Sequence, residues 1–123
     1  KETVQGTPGT CCLLSRKWSE GDLITFNLPL GFRISKYRGA DTVSGFDRYA
    51  IEYGALLLGV VGNFDFRGKY IRIAHDPFNP ATWLIPIPGK PGHFSIKNKP
   101  GYELMPYHEI QDELFSCYPV IGV

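Results

Sequence analysis

Glycine and proline punctuate this chain so often that a long helix has no room to form. Fourteen glycines and ten prolines stand among 123 residues, roughly a fifth of the chain where about 12% is ordinary. An interior glycine costs a helix about 1 kcal/mol and a proline about 3 kcal/mol, whereas both suit the turns between short strands. Between these breaks the apolar residues follow a period of two. Ile24, Phe26, Leu28 and Leu30 alternate with Thr25 and Asn27, and Phe32 and Ile34 alternate with Arg33 and Ser35. Tyr49, Ile51 and Tyr53 alternate with Arg48, Ala50 and Glu52. This is the signature of half-buried strands.

The pattern predicts strands over 10–18 and 23–30, joined as a hairpin through the turn residues Ser19, Glu20, Gly21 and Asp22. Pro29 cannot donate to a ladder, so the second strand ends there or runs along an edge. A third strand follows over 32–37, then a polar loop over 38–47 and a strand over 48–53. Ala55 to Val61 is apolar on both sides and is expected to be a central, doubly covered strand. Beyond it come a turn over 63–68, a short strand over 69–74, an edge segment over 83–88 carrying Pro86 and Pro88, and strands over 93–97 and 102–105. The helix candidate is 107–115, two turns at most, where Ile110 and Leu114 sit four apart. A last strand is expected over 115–120. About nine short strands with close turns predict an all-β fold, a β-sandwich of jelly-roll or Greek-key type with at most one short helix near the C-terminus. Residues 1–123 are read as one domain of this kind.

Composition narrows the partners. Hydrophobic residues make up 43% and charged residues 20% of the chain, enough apolar surface to offset chain entropy. Thirteen basic and twelve acidic side chains leave a formal charge of +1, too little to neutralise a row of phosphates or hold the chain on an anionic membrane. Neither nucleic acid nor a membrane is expected as a partner. The longest apolar run, Ala55 to Val61, is far short of the ~18 residues that span a bilayer. The chain opens Lys1-Glu2-Thr3 without a basic and apolar leader pattern, and is read as an excised fragment or a mature product.

Candidate chemistry is sparse. The three cysteines, Cys11, Cys12 and Cys117, do not form the even, spaced set of a disulfide scaffold, and small buried thiols are expected. Together with His75, His93 and His108 they supply metal-ligand types, but not a metal-ligand spacing. No C-x-x-C or H-x-x-x-H occurs, and adjacent strand residues such as Cys11 and Cys12 point to opposite faces. His108-Glu109-Ile110-Gln111-Asp112 departs from H-E-x-x-H at its last position. No metal, cofactor or catalytic residue is therefore assigned. A Cys117–His108 nucleophile pair would sit in apolar surroundings that disfavour a thiolate. Glu52, Glu103, Glu109 and Asp112 offer carboxylates, and a glycosidase pair would have to flank one cleft about 5–10 Å apart. Sugar rings stack on aromatic planes, which makes Trp83, Tyr102 and Tyr107, with Tyr37, the candidate carbohydrate-binding residues. Trp18, Phe26, Phe32 and Phe94 are expected in the core.

Three segments carry a family resemblance. Arg16-Lys17-Trp18-Ser19-Glu20-Gly21-Asp22 through Leu28-Pro29-Leu30-Gly31-Phe32-Arg33 resembles the R-x-W-x-x-G-D-x-[IV]-x-[LF]-x-[LF]-P-[ML]-x-x-R stretch that follows the catalytic domain in glycoside hydrolase family 127, the β-L-arabinofuranosidase group. Asp47 to Leu58 is similar to that family's R-x-A-[LI]-x-x-G-P-L-[VL] strand pair, with Ala55 in place of the usual proline. Leu104 to Tyr118 resembles the closing L-x-P-[FY]-Y-x-I-H-D-x-R-Y-x-x-Y motif, with His108 standing for the second aromatic and Glu113-Leu114 departing from the commoner choices. The resemblance implies a C-terminal β-sandwich packed beside a separate (α/α)-barrel catalytic domain. It further implies a bacterial protein, secreted or periplasmic, acting on glycans. The family's zinc site uses an adjacent cysteine pair in the barrel. Cys11-Cys12 instead lead into the sandwich motif, so no catalytic residue of the family carries over. The function implied is a non-catalytic accessory domain, inactive alone, whose partner is the catalytic domain of the same polypeptide. An independent carbohydrate-binding module is the alternative, with a glycan as its partner.

Overall fold

The segment that periodicity marks as doubly covered organises the sheet. In the structure, a computed structural model that describes residues 2–62 and 71–122, it forms β3 (Leu56–Gly62). Ahead of it come β1 (Phe32–Lys36) and β2 (Tyr49–Tyr53). After it come β4 (Arg72–Ile73), β5 (Leu84–Pro86), β6 (Phe94–Ile96), β7 (Tyr102–Pro106), β8 (Phe115–Ser116) and β9 (Val120–Ile121). Two 3-10 turns, Pro80–Thr82 and Tyr107–Glu109, are the helical elements among the described residues. The main sheet has the order β1-β2-β3-β7-β6-β5 and is antiparallel throughout. It curls into a half-barrel, so the chain has an all-β fold.

β3 is paired on both edges. Residues 56–58 pair with β2 and residues 58–62 with β7. Val60 and Val61 also pair with β8, which therefore follows β2 along the same edge. Alternation then sorts the side chains. Ile51, Leu58, Val60, Leu104, Phe94, Ile96 and Leu84 point into one core, with Phe32, Ile34 and Tyr53 packed against it. Phe32, Tyr53 and Phe94 meet with ring centroids 5.0–5.1 Å apart. The parallel pair β4–β9 supplies Ile73 and Ile121 to the same cluster, covering the hollow of the half-barrel. The bonds Val120 N to Ile71 O (2.8 Å), Tyr49 N to Pro119 O (3.0 Å) and Ile121 N to Asp47 O (3.2 Å) tie the pair to the start of β2.

Several expectations change. Residues 10–18 and 23–30 form no strands. Their turn is present, with Asp22 N bonded to Ser19 O at 3.1 Å, Ser19 N to the Asp22 carboxylate at 2.8 Å, and Gly21 at φ +87°. The flanks form no ladder with each other, because an isolated two-stranded hairpin is marginal in water. Trp18 and Phe26 are accordingly 47% and 77% exposed instead of buried in the core, where Phe94 does lie. The helix over 107–115 is a single 3-10 turn. Ile110 returns to an extended backbone, and the Glu113 carboxylate accepts the Gln111 N–H at 2.8 Å, the local side-chain bond that competes with a helix. The strand over 115–120 is split into β8 and β9. The turn over 63–68 and the start of the 69–74 strand lie outside the described residues.

Leu104 is fully buried and paired to β3, whereas Leu114 is 53% exposed. Leu104→Ala is expected to lower the unfolding free energy by about 2–5 kcal/mol, and Leu114→Ala to change it by no more than about 0.5 kcal/mol. Urea denaturation followed by circular dichroism checks both.

Candidate functional site

The polar side chains gather on the face of the sheet opposite the core. There Gly59 leaves room for the chain that follows β7. A Cβ at this position would meet Ile110 Cδ1 at 2.5 Å, with the Cys117 sulfur and the Phe115 ring 3.9 Å away. The missing side chain lets residues 107–117 lie across the sheet.

A histidine clasp holds that crossing segment. His93 precedes β6 and Glu103 lies in β7. The Ser95↔Glu103 register makes them diagonal neighbours on one face. His93 Nε2 lies 2.6 Å from the Glu109 carboxylate in the second 3-10 turn, and Nδ1 lies 3.5 Å from Glu103. The imidazole is largely buried, with 14% of its side chain exposed. The two ring nitrogens face the two carboxylates, joining the turn to the sheet. These contacts were hidden in the sequence because they depend on strand register; His93 and Glu103, spaced ten apart, belong to no motif.

Trp83 sits on the core side as a structural pin. It is 1% exposed, its Nε1 donates to the Asp76 carbonyl at 2.8 Å, and the His75 ring stacks on it at 5.3 Å and 7°. His75 Nε2 in turn donates to Lys97 O at 2.6 Å. The loop is stiffened by Asp76, whose carboxylate accepts the Phe78 N–H at 2.9 Å and a bond from Asn79. The Phe78 N–H and then the Asn79 amide hold the Asp76 carboxyl below its ordinary pKa. Trp83 therefore offers no face to a sugar ring, which corrects its candidacy as a binding platform.

The other candidates scatter. Tyr102 is half-buried on the wall of an open cleft of about 690 Å³ that Glu103, Glu113 and Leu114 also line, with the Lys99 ammonium 4.6 Å from its ring centroid. Backbone N–H groups, that of Gln111 first, hold the Glu113 carboxyl below its ordinary pKa. Tyr107 is 50% exposed on the second 3-10 turn, edge-on to Phe115 at 5.7 Å. Tyr37 lies under the Arg48 guanidinium at 4.9 Å and against Tyr118. Of the carboxylates, Glu52 is paired with Arg33, while Glu103 and Glu109 meet at His93.

The thiols differ from the buried set expected. Cys11 and Cys12 are exposed on the N-terminal arm and Cys117 is half-buried. Burial pushes the Cys117 thiol up, the opposite of what a nucleophile needs, and His108 is exposed on the 3-10 turn. Among the described residues no group of three or more His, Cys, Asp or Glu is placed to hold a metal ion. No protein-family model, curated protein or solved structure matches the chain.

Because the clasp holds the segment that carries Cys117 across the sheet against Gly59, its loss is expected to expose the thiol. In the native protein iodoacetamide should label Cys11 and Cys12 rapidly and Cys117 at least about tenfold more slowly, owing to its raised pKa and partial burial. His93→Ala should speed Cys117 labelling several-fold while leaving the other two rates unchanged. Mass spectrometry of peptides from a labelling time course reads all three.

Proposed function

We propose that this chain is a non-catalytic accessory β-domain of a family 127-like glycoside hydrolase, packing beside a separate (α/α)-barrel catalytic domain and supporting it. The supporting observation is the place of two of the three resembling segments in the sheet, the third, residues 16–33, lying ahead of β1 except for Phe32 and Arg33. Residues 47–58 build β2 and the first half of β3, and residues 104–118 build most of β7, the second 3-10 turn and β8. Both therefore lie along the same central strand. Their side chains serve the fold. Ile51, Leu58 and Leu104 fill the core, and Arg48 reaches Tyr118 O at 2.9 Å with its guanidinium over the rings of Tyr37 and Tyr118. Residues used in this way position strands rather than reacting groups, and the reading assigns this chain neither a catalytic residue nor a cofactor.

The second reading, a carbohydrate-binding module, draws on Tyr107, whose exposed ring stands beside Phe115. It predicts heat on titration with an arabinose-containing oligosaccharide that Tyr107→Ala abolishes.

The accessory reading is tested by the mass of the native protein in a lysate of its source, detected with an antibody against this chain. A band several-fold heavier than 13.8 kDa is expected, together with no turnover of an arabinofuranoside by the purified chain. A band at that mass, or turnover by the chain alone, would overturn it.

A further inference from the structure

The histidine clasp presents more acceptors than a neutral imidazole can serve. His93 Nε2 lies 2.6 Å from the Glu109 carboxylate and Nδ1 lies 3.5 Å from that of Glu103. An ionised carboxylate only accepts hydrogen bonds, whereas a neutral ring carries one N–H and one lone pair. A neutral His93 therefore turns a lone pair toward one of the two carboxylates. A protonated ring has a donor for each, and its charge strengthens both bonds. We propose that the clasp is a pH-sensitive latch, in which the proton on His93 holds residues 107–117 against the sheet and its loss releases them.

The surroundings of the ring leave the proton in control. Its side chain is 14% exposed, against 32% for Glu103 and 44% for Glu109, so little water reaches the ring to replace a missing donor. Among the described residues, His93 is the cation that each carboxylate is paired with. The other neighbours bring no charge to the ring. Past the end of β5, the Ile87 N–H bonds His93 O, and Lys90, itself exposed, bonds the His93 N–H through its backbone carbonyl. From β3 and β7, Leu56 and Pro106 close on the neighbouring Gly92. On the crossing segment, His108 is exposed, and the Glu113 carboxylate accepts the Gln111 N–H beside the open cleft that Glu103 also lines.

The latch sits where its release has an effect. After the turn Tyr107–Glu109 the segment makes no ladder until the two residues of β8. Between these attachments it lies in the notch over Gly59, held there by Ile110. Loss of the Glu109 contact frees the entry to that notch and uncovers Cys117. The sign follows from linkage: the docked segment favours the protonated ring, so docking weakens as the pH rises through the range in which histidine gives up its charge, about pH 6 to 8. The inference goes beyond the accessory-domain reading and does not depend on it.

The test is an NMR titration of the full chain between about pH 6 and 8, above the ordinary carboxylate range. The His93 ring C–H signal reports the proton, and the Ile110 δ-methyl signal reports docking at Gly59. The methyl is expected to move toward its unfolded-chain position with the same midpoint as the ring, while the Leu58 methyls, 1% exposed in the core, stay in place. His93→Gln, neutral throughout, should reduce the Ile110 movement at least about fivefold, and His108→Gln should leave it unchanged. Glu109→Gln, at a half-exposed position outside the core, should hold the methyl at the wild-type high-pH position across the whole range, and decides the matter where His93→Gln does not fold. An Ile110 methyl that stays in place while His93 titrates would overturn the proposal. So would a full pH response in His93→Gln or Glu109→Gln, or its loss in His108→Gln.

Discussion

The two-sided pairing of β3 is the constraint on which the rest of the structure depends. One seven-residue strand carries β2 and then β8 along one edge and β7 along the other. It thereby joins the N-terminal hairpin of the sheet to the C-terminal strands. Its Leu58 and Val60 sit at the centre of the core, 1% and 0% exposed. An apolar run can serve this purpose only if both faces are covered. The core with its β4–β9 cover supplies one face, and the segment after β7 supplies the other.

That second cover explains the polar architecture. Gly59 opens a shallow path across β3, Ile110 fills it, and the His93–Glu109 contact at 2.6 Å holds the segment at its entry. Cys117 is desolvated as a result. The histidine, the carboxylates and the thiol that a sequence reader would examine for chemistry are thus explained by a packing problem: holding a non-helical crossing against a sheet.

Strand positions were largely legible in the sequence because a half-buried strand writes its burial into alternate residues. Phe32–Lys36 follows that rule, while Tyr49–Tyr53 shows it in its apolar residues although Ala50 is buried too, and Leu56–Gly62 was legible in a different way, as an apolar run covered on both faces. Pro86 placed β5 at an edge for a backbone reason, its missing donor. The rule reports the pattern but not the partner, and there it failed. Residues 23–30 have the clearest alternation in the chain, yet no neighbouring strand completes them. Residues 107–115 have helical spacing, yet Ile110 is drawn out to Gly59 and Glu113 captures a backbone N–H. The clasp was illegible because His93, Glu103 and Glu109 meet only once the β6–β7 register is fixed. Trp83 was ambiguous in composition and is explained by its surroundings: a stacked imidazole and a bonded indole N–H leave it wholly structural.

The account makes β3 the most stable part of the molecule and the arm the least, two extremes predicted for one continuous chain. Native-state amide hydrogen exchange measures both at once. The bonded amides of β3 and β7 should exchange last, at the rate of global unfolding, while those of residues 10–18 and 23–30 exchange at nearly the rate of an unfolded chain. Protection of the arm, or exchange of β3 ahead of β5 and β6, would contradict a fold built outward from that strand.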